Sequence, residues 1–227
     1  MINTVCMWLT ELVPLGASAA AFIYGVNRFF EKGKALYLQI ITIAMGCYAL
    51  GNLYHLCQRI VLKEVTDGFT AAYLGHIGFY LFLFTANFGQ MDGLMDDGTK
   101  QIRASRYIGL AGPVLAVFLY LFCAVSQMPL STKITYGIVW IPAMLSLYYN
   151  LKHAVIPDLG FGFAKAVRPY NISAFVLSVL NLLLLCSWIN YDETYGYVLP
   201  AVLSVIFGIG CLITMRNLEK GVMQWTI

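Results

Sequence analysis

The chain has 227 residues, of which 60% are hydrophobic and only 11% charged, with a formal net charge of +3. Soluble domains carry about 25% charged residues, so this composition excludes an ordinary soluble domain, and the small net charge gives no footing for a nucleic-acid partner. The mean hydropathy of +0.74 predicts an all-α, polytopic membrane protein, a bundle of seven transmembrane helices forming a single domain over residues 1–227.

Crossing a hydrocarbon core of about 30 Å takes about 20 helical residues. Seven apolar windows meet that length, at about 5–26, 35–58, 69–90, 107–127, 134–151, 170–190 and 196–215. The first window has no basic segment before it and runs the length of a full span, which predicts a retained helix and not a cleaved signal. Of the fourteen Lys and Arg residues, eleven (Arg28, Lys32, Lys34, Lys100, Arg103, Arg106, Lys152, Lys165, Arg168, Arg216, Lys220) fall on one side of these spans. Three (Arg59, Lys63, Lys133) fall on the other, where Asp192 and Glu193 also lie. The asymmetry predicts a cytoplasmic C-terminus, an N-terminus outside and residence in the plasma membrane.

The first helix carries Glu11 about two turns below its outer end, Pro14 as a kink, and the small-residue run Gly16 to Ala21, suited to close packing. A carboxylate at that depth must be protonated, paired or reached by water. The second helix carries Tyr48, Asn52, His55 and Arg59 at i, i+4, i+7, i+11, and the third carries Tyr73, His76, Tyr80 and Asn87 at i, i+3, i+7, i+14. At about 100° per residue each set makes one stripe, expected to turn toward protein or a watery cavity. Gly51, Gly75 and Gly78 would let these helices approach closely.

The run Met91 to Gly98, with Asp92, Asp96 and Asp97, reads as a solvated turn, although three carboxylates could hold a hard cation. Helices four and five are mostly apolar, with Pro113 and Pro142 as kink candidates and Tyr148, Tyr149 and Asn150 at the inner interface; His153 beside Lys152 reads as solvated. The basic residues Lys165 and Arg168 suit anionic lipid heads. Helix six offers Ser178, Asn181 and Trp188 on one face, and helix seven offers Pro200, Ser204, Gly208 and Cys211. The six cysteines, with no C-x-x-C spacing, read as small buried apolar residues. No internal repeat is visible and only the first helix holds a carboxylate within the membrane, which disfavours an inverted-repeat transporter or a proton pump.

Several chemistries are open at the stripes. Glu11, His55 and His76 have the ligand types of a zinc site, and His55 with His76 those of a bis-histidine haem. The cofactor is therefore left unknown. The expected site is an outward-facing ligand pocket walled by Glu11, Tyr48, Asn52, His55, Tyr73, His76 and Tyr80; the simplest competing reading is interhelical hydrogen bonding alone. Expected partners are membrane lipid, a small-molecule or lipid ligand, and a protein subunit of a larger assembly.

Leu50-Gly51-Asn52, followed by Tyr73-Leu74-Gly75-His76-Ile77-Gly78-Phe79-Tyr80 and later by Phe175-Val176-Leu177-Ser178, resembles the lysoplasmalogenase-like (YhhN) membrane family. The resemblance implies an eight-helix scaffold, of which this chain would lack the first helix, and a lipid-hydrolysing ancestry. The family's two acids would fall at Asn52 and Val179, neither of which can act as acid, base or metal ligand. The resemblance thus implies a kept scaffold without the hydrolytic chemistry. The functional expectation is a non-catalytic protein that binds or senses a small or amphiphilic ligand, with a membrane-embedded lipid hydrolase or a permease as the alternatives.

Overall fold

A computed structural model describes residues 2–62, 68–93, 98–125, 128–158, 162–187 and 197–223. Lys63, Asp96, Asp97, Trp188, Asp192 and Glu193 lie outside the described residues. Within them the chain is helical: α1 Ile2–Phe29, α2 Leu36–Leu62, α3 Ala71–Thr85 continued by a π-helical segment Ala86–Asp92, α4 Lys100–Gly109, α5 Ala111–Ala124, α6 Leu130–Val155, α7 Phe163–Ser187 and α8 Val198–Met223. Among the described residues seven spans are long and apolar enough to cross a membrane: Asn3–Phe29, Leu36–Leu62, Ala71–Gly89, Ile102–Ala124, Leu130–Val155, Ala164–Ser187 and Val198–Gly221. The fourth is made by α4 and α5 together. Most helices run several residues past the apolar windows because basic and polar side chains such as Arg59, Arg103 and Lys165 end the hydropathy without ending the backbone ladder.

The helices pack in order around a ring. α1 lies on α2, α2 on α3, α3 on α6, α6 on α7 and α7 on α8, and α8 returns to α1. α4 and α5 stand beside the ring against α6. Large apolar residues face outward, among them Val114, Phe118 and Phe122 on α5 and Ile206, Ile209 and Leu212 on α8. Hydroxyls and amides are turned in: Thr10, Ser18, Thr42, Asn87, Ser146, Asn150, Asn171, Ser178, Asn181, Ser204 and Thr214 are all buried. A soluble bundle has the reverse pattern, and apolar surface of this extent calls for a partner phase.

Small residues set the closest contacts. A Cβ built on Gly75 would lie 2.5 Å from the Gly51 Cα and 2.6 Å from the Cys47 carbonyl oxygen, so α2 and α3 cross with their backbones touching. On the opposite wall Gly208 takes Val13 and Ala17 of α1. Gly16 itself faces open space, so the small-residue run works through its alanines and Ser18. Pro14 has no N–H to give to the carbonyl of Thr10 one turn back. The Ser204 hydroxyl of α8 donates to that oxygen at 3.5 Å, filling the gap from the neighbouring helix.

The cysteines do not all behave as isolated buried residues. Cys57 is exposed. Cys123 of α5 and Cys186 of α7, 63 positions apart, meet with their sulfurs 2.6 Å from each other. Sequence spacing carries no trace of that pairing, because the direct contact of α5 with α7 arises from the tertiary packing beside α6.

Candidate functional site

The polar residues gather in two groups at the end of the bundle where α1 begins, and in a third at the opposite end. In the first group, Glu11 projects from α1 and is only 3% exposed. His55 and Arg59, one turn apart on α2, both reach it. Arg59 Nη1 donates to Glu11 Oε1 at 2.6 Å, and His55 Nδ1 lies 3.0 Å from Oε2. Both carboxylate oxygens are therefore engaged. Arg59 belonged to the α2 stripe but not to the expected pocket, and the structure makes it the strongest partner Glu11 has. Asn52 Nδ2 donates to the Tyr48 carbonyl at 2.8 Å, and the same amide also interacts with the Tyr48 hydroxyl.

The second group lies deeper and joins α2, α3 and α7. The Tyr48 hydroxyl donates to Asn181 Oδ1 at 3.2 Å, Asn181 Nδ2 donates to the Tyr80 oxygen at 2.9 Å, and the Tyr80 hydroxyl donates to the Ser178 carbonyl at 3.1 Å. The Tyr48 ring meets His76 edge-on with centroids 5.0 Å apart, and packs on Phe79 and Phe207. Tyr73 lies at 6.3 Å from His76 and 6.1 Å from Tyr136. Four of the expected residues, Tyr48, Tyr73, His76 and Tyr80, thus converge. Asn181 and Ser178, noticed in the sequence only as one face of a later helix, are what connects them.

Two atoms of this group have no hydrogen-bond partner although they are buried: His76 Nδ1 and Ser178 Oγ. Leaving such a group unpaired costs about 1–3 kcal/mol, and buried side-chain polar atoms are rarely orphaned. His55 and His76 also interact electrostatically, linking the first group to the second. Among the described residues no three His, Cys, Asp or Glu side chains come together as a metal site. Glu11, His55 and His76 are accordingly not arranged as zinc ligands: the carboxylate sits with Arg59 and His55, and His76 with the tyrosines.

At the opposite end, two expectations need correction. His153 was read as solvated, yet it is fully buried, and Lys152 is 2% exposed. Asp92 was read as part of a solvated turn, yet it accepts a hydrogen bond from Lys152 Nζ and lies 3.0 Å from His153 Nε2. His153 Nδ1 is 3.2 Å from Asn87 Oδ1, Asn87 Nδ2 donates to Asn150 Oδ1 at 2.7 Å, and Asn150 Nδ2 donates to Ser146 Oγ at 3.1 Å. Both residues lie past the apolar windows but still on helix, since the backbone runs on to Asp92 and to Val155. Asn87 and Asp92 are five residues apart, which an α-helix would turn about 140° from each other. The wider turn of a π-helix, with i→i+5 bonds, brings them toward one side, where a single imidazole meets both.

Asp92 lies beyond the apolar part of α3. Burial raises its pKa, but hydrogen bonds from His153 and Lys152 outweigh burial and hold the carboxyl below its ordinary value of 3.8. A carboxyl lowered in the folded state gives stability that is complete above the unfolded-state value and is lost as pH falls through the folded one. Asp92→Asn is expected to lower Tm at neutral pH. The gap from the unsubstituted protein should close on acidification below 3.8, as thermal melts across pH will reveal.

Comparison of the chain with protein-family models, with curated proteins and with solved structures gives no match.

Proposed function

We propose that this is a multi-pass protein of the plasma membrane, N-terminus outside, that binds or senses a small or amphiphilic ligand in the outer half of its helical ring. The observation that carries the reading is the pair of orphaned polar atoms, His76 Nδ1 and Ser178 Oγ, within a network of tyrosines and Asn181. A ligand hydroxyl or similar group, able to donate and accept, would recover the desolvation penalty of whichever atom it reaches. The buried Glu11–Arg59–His55 cluster lies beside it. Ionisable groups at such depth are expensive in a membrane protein, and mark function by default. The ring of apolar side chains facing outward supports lipid as the surrounding phase, and the lysine and arginine asymmetry supports the orientation.

A hydrolytic reading gains nothing from the site. Glu11 is engaged by Arg59 and His55, and the positions where the lysoplasmalogenase-like resemblance expects acids are Asn52 and Val179.

The test compares the protein purified in mild detergent with His76→Leu and Ser178→Ala. Organic extracts analysed by mass spectrometry should contain a co-purifying compound in near-stoichiometric amount, reduced about tenfold in both variants, a loss of about 1.4 kcal/mol of affinity. Each variant should keep a single cooperative melt, and loss of a stabilising bound compound should place that melt below the one of the loaded protein. Identical extracts from all three proteins contradict the reading. A compound retained only when a second protein co-purifies would assign the chain to a larger assembly.

A further inference from the structure

A groove of about 540 Å³ runs along the surface between α7 and α8, at the end of the bundle that holds the cluster of basic residues. It is lined by Lys165, Arg168, Ile172 and Val176 on α7 and by Ile213 and Asn217 on α8. The two rows are ordered by chemistry. On α7 the cations come first, at i and i+3, and Ile172 and Val176 follow at steps of four, all on one face. On α8 Asn217 sits level with the cations and Ile213 with the apolar stretch, and Gly210 keeps the floor low. Eight residues from Arg168 to Val176 give about 12 Å of apolar trough.

The charged end is not self-sufficient. Lys165 is 3.7 Å from Asp158 but its side chain is 75% exposed. Arg168 donates from Nη2 to the Ile156 carbonyl at 2.8 Å, while its Nε is buried without any hydrogen-bond partner. Among the described residues Arg168 has no acidic partner. The other nearby acid, Glu219, is held by Arg28 and Tyr24. An anchored guanidinium with no acidic partner among the described residues, a second cation one turn away and a trough leading from them make a head-and-tail receptor.

We infer that this groove is a binding site for one anionic phospholipid, its phosphate on Arg168 and Lys165 and an acyl chain along Ile172, Val176 and Ile213. Guanidinium groups favour phosphate because planar donors match its oxygens. A cation near an anionic lipid surface is worth about 1 kcal/mol, or about fivefold in occupancy. The site lies on the opposite wall end from the tyrosine–histidine network and does not depend on what that network binds.

The experiment is native mass spectrometry of the full chain released from detergent, titrated in parallel with phosphatidylglycerol and phosphatidylcholine of matched acyl chains. Phosphatidylglycerol should be retained at activation energies that strip phosphatidylcholine, and Lys165→Gln should reduce its occupancy about fivefold while leaving phosphatidylcholine unchanged. Ile213→Trp, which fills the trough from an exposed position, should reduce both lipids, and it keeps the test independent of any effect of the charge change on folding. Millimolar inorganic phosphate should not displace the lipid. Equal retention of the two lipids, occupancy insensitive to both substitutions, or displacement by phosphate alone would overturn the assignment.

Discussion

Replacing Arg59 by methionine should cost about 3–5 kcal/mol of stability, the largest loss expected from any single side chain of the polar network. The expectation rests on Glu11. Its carboxylate is 3% exposed, and its shortest contact is the 2.6 Å bond from Arg59 Nη1. Taking away the guanidinium leaves the buried carboxylate with His55 as its one remaining partner among the described residues, and that side chain is 30% exposed. Neutralising the acid as well should recover most of the loss, because a buried pair replaced on both sides is often close to neutral while a buried pair broken on one side is not. Melting temperatures of Arg59→Met, Glu11→Gln and the double variant in one detergent provide the coupling energy. A double variant that loses the sum of the two single effects would show that the pair does not act as a unit.

Substituting leucine for Gly75 is the second change expected to act strongly. The new Cβ would start 2.5 Å from the Gly51 Cα, a backbone atom that no rotamer can move aside. Extra methylenes in a packed interior cost about 1–3 kcal/mol even where side chains can yield, and here the helices themselves must part. Separation of α2 from α3 would also pull Tyr48 from His76, so the variant should lose both folded yield and the bound compound. Gly16→Ala is the control, since nothing stands within 4 Å of a Cβ at that position. Size-exclusion profiles of the two variants should diverge, with Gly16→Ala indistinguishable from the unsubstituted protein.

What could be read from the sequence was whatever follows from a fixed period or a fixed length. Seven apolar windows and the stripes on α2 and α3 depend on 3.6-residue repetition and on the thickness of a hydrocarbon layer, and each has its counterpart in the helices. The backbone crossing at Gly51 and Gly75 was legible for the same reason. Asn181 was not assigned to the site because adjacency of α7 to α2 and α3 is a property of the closed ring, and no local pattern encodes it. His153 and Asp92 differ from expectation because the apolar windows end at about 151 and 90, while the helical backbone runs on to Val155 and Asp92 and carries both residues into the bundle. The one available signal was composition: Asn87, Asp92, Asn150 and His153 are four polar residues close to the ends of apolar spans.

The most direct test is an electron-density map of the protein embedded in lipid, inspected at one atom. A bound group within hydrogen-bonding distance of His76 Nδ1, on the protein side of the ring and level with Tyr48, is the predicted result. A dry contact at that nitrogen, with only side-chain carbon against it and Glu11 and His55 turned toward lipid, would contradict the proposed site.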